Sequence, residues 1–183
     1  MKEQIKMYGF LAIVAGLIIA LDQWTKHLVR TMLPLRGIWS PWEWLTPYAR
    51  IVHWDNSGVA FGLFQGTGAI FLVLALVVSV IIIYYYPRIT KNDWLLKIAL
   101  SMQLAGALGN AIDRVFFNFR VTDFISVGEF PVFNVADSSI SVGVCILLIG
   151  VWLQERKQAQ LNKDTLDNES TPESPIQHSE TAE

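Results

Sequence analysis

Cysteine is almost absent from this chain of 183 residues. Cys145 is the only one, so no intramolecular disulfide can form. It sits among Val and Leu in an apolar stretch, where a small thiol is expected to serve as packing. Charge is scarce as well: 16% of the residues are Asp, Glu, Lys or Arg, against 52% hydrophobic, with a mean hydropathy of +0.39. A net charge of −2 and a pI near 5.9 leave no basic patch to suggest a nucleic-acid partner. His-Glu-x-x-His, a Cys–His partnership and Gly-x-Ser-x-Gly are all missing. Metallo-, cysteine and elbow-type serine hydrolase chemistry therefore finds no support.

What is present comes in blocks rather than at the period of a soluble helix or strand. The apolar runs are Met7–Leu21, Ala69–Tyr86, Trp94–Ile112 and Ile140–Leu153. Roughly 17–25 helical residues cross the hydrocarbon. The second and third runs reach that length unaided. The first does so by continuing through Asp22 to about Val29, and the fourth by starting near Asn134. The expected fold is an all-α integral membrane protein of four transmembrane helices, at about 8–29, 68–86, 94–113 and 135–154. These belong to one membrane domain, residues 1–157. Lys2 and Lys6 before an apolar run resemble the start of a signal peptide. No small-x-small cleavage site follows, so the run reads as a retained anchor. After Gln158, Lys163 faces Asp164, Asp167, Glu169, Glu173, Glu180 and Glu183 amid Ser, Thr, Pro and Asn. Residues 158–183 therefore read as a disordered acidic tail.

Four spans put both termini on one side of the membrane, opposite the connections at about 31–67 and 114–133. Eight Lys and Arg residues fall with the termini (Lys2, Lys6, Arg88, Lys91, Lys97, Arg156, Lys157, Lys163). Six fall opposite: Lys26, Arg30, Arg36, Arg50, Arg114 and Arg120. That excess favours cytoplasmic termini. Whichever way the chain points, Asp22, Lys26, Asn56, Asn110, Arg114, Asp123, Asn134 and Asp137 gather near one membrane face. The first long connection holds Trp39, Trp42, Trp44, Tyr48 and Trp54, rings suited to the headgroup region. Within it, Arg50–Trp54 and Val59–Leu63 flank Asp55-Asn-Ser-Gly58 and could pair as a small extracytoplasmic β-element. His53 reads as an interfacial residue rather than a base.

Two acids carry the chemistry: Asp123 in Val121-Thr-Asp-Phe124 and Asp137 in Phe133-Asn-Val-Ala-Asp137. Carboxylates at the edge of hydrocarbon are costly and usually functional. Two that share a proton are the minimum apparatus for activating water against a peptide bond. Each has a structural reading beside the catalytic one. Asn134 could cap the fourth helix, leaving Asp137 in its first turn, where the helix dipole stabilises an acid. Asp123 belongs to no strong turn or capping pattern. Asp22 and Lys26 are spaced i, i+4 and can pair on one helix face, or Lys26 can snorkel at a helix end. Gly106 and Gly109 permit close helix approach. Arg114, one turn beyond Asn110, needs a carboxylate partner, which Asp113, Asp123 or Asp137 could supply. A proton-coupled transporter would place ionisable groups at mid-bilayer beside broken helices. A non-catalytic membrane assembly protein would tolerate Asp→Asn at both positions.

Five blocks in order resemble the lipoprotein signal peptidase (bacterial signal peptidase II) family, over roughly residues 8–153. They are Asp22-Gln-Trp-Thr-Lys26, Asn56-Ser-Gly-Val-Ala-Phe-Gly62, Gly106-Ala-Leu-Gly-Asn-Ala-Ile-Asp-Arg114, Val121-Thr-Asp-Phe124 and Phe133-Asn-Val-Ala-Asp137. Ala105 stands where the family commonly has another Gly, and the acidic tail is longer than usual. The resemblance implies an aspartic endopeptidase of the bacterial plasma (inner) membrane, with its site near the outer leaflet. The implied substrates are diacylglyceryl-modified prolipoproteins, cut just before the lipidated Cys, with no metal or organic cofactor. By the same carry-over Asp123 and Asp137 form the catalytic dyad. Asn56, Asn110, Arg114 and Asn134 border the substrate, with Gly109, Asp22 and Lys26 in support. Membrane lipid is the expected surrounding, and a monomer the expected state.

Overall fold

The computed structural model describes residues 2–58, 66–88 and 93–169, with side chains up to residue 163. Its elements are helix α1 (Lys2–Met32), strands β1 (Ile38–Trp39) and β2 (Ala49–Asn56), and helix α2 (Gly68–Tyr85). Helix α3 (Trp94–Phe116), strand β3 (Val121–Val127) and helix α4 (Val135–Glu169) follow. All four α-helices are long and apolar enough to cross a membrane.

Helix α3 is the centre of the bundle. Half of its most apolar stretch is buried inside the protein, against 17% in α1 and α2 and 22% in α4, and α1, α2 and α4 all pack on it. Small residues make this possible, because no hydrophobic force draws helices together in lipid and close backbone approach must do so instead. Ala99, Ala105, Ala107 and Ala111 are buried along α3. A Cβ on Gly106 would collide with the Ala136 carbonyl and the Ile140 side chain of α4. Gly106→Ala is thus expected to cost about 3 kcal/mol through overpacking, measurable as a lower melting temperature in detergent. Leu11 and Ala15 of α1, Ile82 of α2 and Leu104 and Ala105 of α3 form an apolar core with Tyr86, which follows α2.

The sheet differs from the expected hairpin. Strand β2 pairs antiparallel with β1 on one side and with β3, from the second long connection, on the other. The β-element expected in the first connection is present as β1 and β2, and β3 extends it into the second; Val59–Leu63 falls outside the described residues. Local turn formers at 55–58 suggested a hairpin, whereas the true partner is brought in by the packing of α3. Between Ile51↔Ile125 and Trp54↔Asp123 the register slips by one residue, a β-bulge. His53, in the bulge, bonds through its backbone to Arg36 and Gly37, and its Nδ1 lies 2.8 Å from the Leu33 carbonyl oxygen. It is a strap to the end of α1 and does not line the site.

Two further expectations change. α4 continues to Glu169, so residues 158–169 of the segment read as a disordered tail are helical; residues 170–183 lie outside the described residues. Cys145 is exposed on α4 rather than packed in the core.

Candidate functional site

Strand β3 and the first turn of α4 are laid side by side by the main chain. Phe133 accepts from the Phe124 and Ile125 amides and donates back to Ile125, at 2.8–3.0 Å. Asn134 then starts α4 in a reciprocal capping arrangement. Its Oδ1 accepts from the Asp137 amide at 3.0 Å, and its own amide donates to Asp137 Oδ2 at 3.2 Å. The helix-start reading of Asp137 is therefore correct, yet the residue also lines a cavity.

That cavity, about 520 Å³, is lined at its polar end by Asn56, Asn110, Arg114, Asp123 and Asp137. Its apolar walls are Phe71, Phe130, Pro131, Val132, Ile140 and Val142. Five of the residues singled out in the sequence thus converge from β2, α3, β3 and α4. Asn134 lies behind them, wholly buried. Its Nδ2 donates to Asp123 Oδ1 at 2.6 Å and to Asn110 Oδ1 at 3.1 Å. Asn56 donates to Asp123 Oδ2 at 2.9 Å, and Asn110 donates to Asp137 Oδ1 at 2.7 Å. Among the described residues each acid therefore receives two hydrogen bonds.

Asp123 is 2% exposed. Burial, then the nearby charge of Asp137, pushes its carboxyl up to about 7 from 3.8, against the opposing pull of the Asn56 and Asn134 amides and of Lys26. A carboxyl in that range is protonated or ionised in comparable proportion at neutral pH.

Asp22, Lys26 and Gly109 sit beneath the cavity and do not line it. The i, i+4 pair is real: Lys26 Nζ lies 2.8 Å from Asp22 Oδ2, with both side chains fully buried. The snorkelling alternative fails, since Lys26 turns inward. Its Nζ also reaches Asp113 Oδ2 at 3.3 Å and Asn110 Oδ1 at 2.9 Å. An ammonium only donates, so it fixes Asn110 with its oxygen towards Lys26 and its NH₂ towards Asp137. Gly109 permits this: a Cβ there would stand 2.8 Å from Asp22 Oδ2.

Arg114 corrects an expectation. Among the described residues it forms no ion pair with Asp113, Asp123 or Asp137. Its Nη1 donates to the Asn110 carbonyl at 3.3 Å, and its Nε is buried without a partner. Asp113 is taken instead by Lys26, by Arg30 at 3.5 Å and by Gln23 at 3.1 Å. Arg30 and Gln23 were missed in the sequence, although Asp22, Lys26 and Arg30 recur at i, i+4, i+8 and so share one helix face. Among the described residues no three His, Cys, Asp or Glu side chains group as for a metal ion.

The sequence model for signal peptidase II matches residues 14–153. The chain belongs to the signal peptidase II family. Members of the signal peptidase II family are peptidases, and with four apolar helices this one is a multi-pass membrane protein. The lipoprotein signal peptidase of Shouchella clausii is 42% identical over 147 residues, 80% of this chain and 95% of that protein. That of Halalkalibacterium halodurans is 40% identical, over 79% and 93% of the two chains. A solved structure described as a bacterial membrane enzyme, obtained by the in meso method at 2.3 Å resolution, superposes with a TM-score of 0.70. It is 27% identical, and the match covers 91% of this chain and 95% of that one.

Proposed function

We propose that this protein is an aspartic endopeptidase that removes signal peptides from diacylglyceryl-modified prolipoproteins, cutting just before the lipidated Cys. The observation that carries the reading is the pair Asp123 and Asp137 at the polar end of an otherwise apolar cavity, both bonded to Asn134. Two close carboxyls cannot both ionise cheaply, so they hold one proton between them. The ionised member takes a proton from water, whose oxygen attacks the scissile carbonyl carbon. The protonated member donates to the carbonyl oxygen; as the C–N bond breaks, the leaving amine takes the proton that the first member removed from water, and a hydroxyl proton of the tetrahedral intermediate returns to the second. Since the pair titrates as a unit, base and acid are not fixed to one residue each.

Arg114 supports this reading through its position on the cavity, with no ion pair to a carboxylate among the described residues. A guanidinium there suits a developing oxyanion or the substrate backbone. Arg114→Ala is expected to lower kcat/KM by about 10²-fold, read from initial rates in detergent. The apolar walls suit a lipid-modified substrate, and Asn56 and the residues of the 130–133 segment would hold an unwound stretch whose backbone groups need partners in an apolar setting. The excess of Lys and Arg with the termini favours cytoplasmic termini and so supports a site near the outer leaflet of the bacterial plasma membrane. The protein would act as a monomer without metal or cofactor.

The test is incubation of the purified full chain in detergent with a diacylglyceryl-modified prolipoprotein and with its unlipidated form. The expected product begins at the modified Cys and appears from the lipidated substrate alone. Equal cutting of both forms, or none by the folded protein, would overturn the assignment.

A further inference from the structure

Beneath the two acids lies a second pair of carboxylates. Asp22 Oδ1 accepts the backbone amide of Ala136 at 2.9 Å, and Asp113 Oδ2 accepts the backbone amide of Thr122 at 3.0 Å. Ala136 immediately precedes Asp137, and Thr122 immediately precedes Asp123. Both anchors are fully buried and both face the same Lys26 ammonium, at 2.8 and 3.3 Å. The third ammonium proton goes to Asn110, the donor to Asp137. Gln23 Nε2 spans the anchors from the side, 3.1 Å from each. With Arg30 against Asp113 the cluster holds two negative and two positive charges.

We propose that Asp22, Lys26 and Asp113 are positioning residues which together set the spacing of Asp123 and Asp137; this rests on the reading of those two acids as the catalytic pair. Asp123 stands on β3 and Asp137 on α4, separate elements that could shift independently. Asp113 fixes the first to α3, Asp22 fixes the second to α1, and Lys26 joins the anchors. A water deprotonated by one carboxyl and a carbonyl polarised by the other demand a fixed separation, and misplacement by about 1 Å can cost 10²-fold in rate. A role in folding alone would need the charges to balance and nothing more.

Removing one buried partner leaves the other charge uncompensated and strongly destabilises a protein, so Lys26→Met by itself can fail to fold. The paired variant Lys26→Met/Asp22→Asn removes one charge of each sign. It keeps an oxygen for the Ala136 amide but loses the link between the anchors and the hold on Asn110. The expected result, with the lipidated substrate, is a melting temperature close to that of the wild type, kcat lower by 30-fold or more, roughly the loss that misplacement brings, and KM nearly unchanged. Asp22→Asn is expected to retain more kcat than Asp22→Ala at matched melting temperature, because only the former keeps the amide's acceptor. If neither paired nor single variants fold, amide hydrogen exchange in the wild type still tests the proposal. Thr122 and Ala136 should then be the slowest-exchanging amides of their segments, and fast exchange there would overturn it. Wild-type kcat in a folded paired variant, or a loss in KM alone, would also overturn it. Asp137→Asn run alongside separates the two readings. If Asp137→Asn is inactive while the paired variant is fully active, this inference alone falls. If Asp137→Asn is itself active, the catalytic pair falls with it.

Discussion

Asp137→Asn and Asp123→Asn are each expected to lower the cleavage rate by about 10³-fold or more while the protein still folds, since a positioned acid–base group contributes about 10²–10⁴-fold. The fold should survive for a reason visible at each site. Asparagine at 137 keeps an oxygen for the Asn134 amide, so the start of α4 stays capped. At 123, asparagine keeps an acceptor for Asn56 or Asn134, and the loss of the other bond costs about 1 kcal/mol. A helix-start residue with no chemical part would leave the rate untouched, so the capping role alone makes the opposite prediction at 137. Initial rates on a lipidated prolipoprotein, normalised to protein that melts cooperatively, decide it. Residual cleavage within tenfold of the wild type by either variant would sink the pairing of the two acids.

Much of this arrangement could be read from the chain because its polar residues are few and each costs something in an apolar setting. Asp22, Lys26, Asn110, Asp123, Asn134 and Asp137 stood out for that reason, and all six lie in one connected network. The family itself was legible from five short blocks in order. What escaped were facts about partners. Arg114 was expected to bind an acid, but Asp113 one residue earlier points the other way around α3, towards α1. The pairing of β2 with β3 joins segments more than sixty residues apart, and it follows from where α3 delivers the chain rather than from any local turn signal. The backbone bonds of Ala136 and Thr122 escaped for the same reason. An amide carries no sequence identity, and its acceptor is known only once α1, α3 and α4 are packed. The helical stretch 158–169 escaped because acidic composition says little against a helix that is already propagating from a long apolar segment.

Raising the pH is expected to reduce both activity and stability, and both through Asp123. Its carboxyl is held up to about 7 by burial and by the charge of Asp137. The folded state therefore keeps a proton that the unfolded chain, with an ordinary carboxyl near 4, has already lost. Stability from this group is complete below about pH 4 and falls as pH rises through 7. The total change is about 4 kcal/mol for a carboxyl moved from 3.8 to about 7, at 1.36 kcal/mol for each pKa unit. Asparagine at 123 is neutral at every pH. Asp123→Asn should therefore show a flatter melting temperature between pH 5 and 9 than the wild type, and melt higher than it at the alkaline end. For catalysis the same proton is the one the pair must share. The alkaline limb of kcat/KM, which reports the free enzyme, should bend near pH 7 and fall about tenfold per unit beyond it. A limb that bends only above pH 9, with a wild-type melting temperature independent of pH, would mean that Asp123 holds no proton at neutral pH.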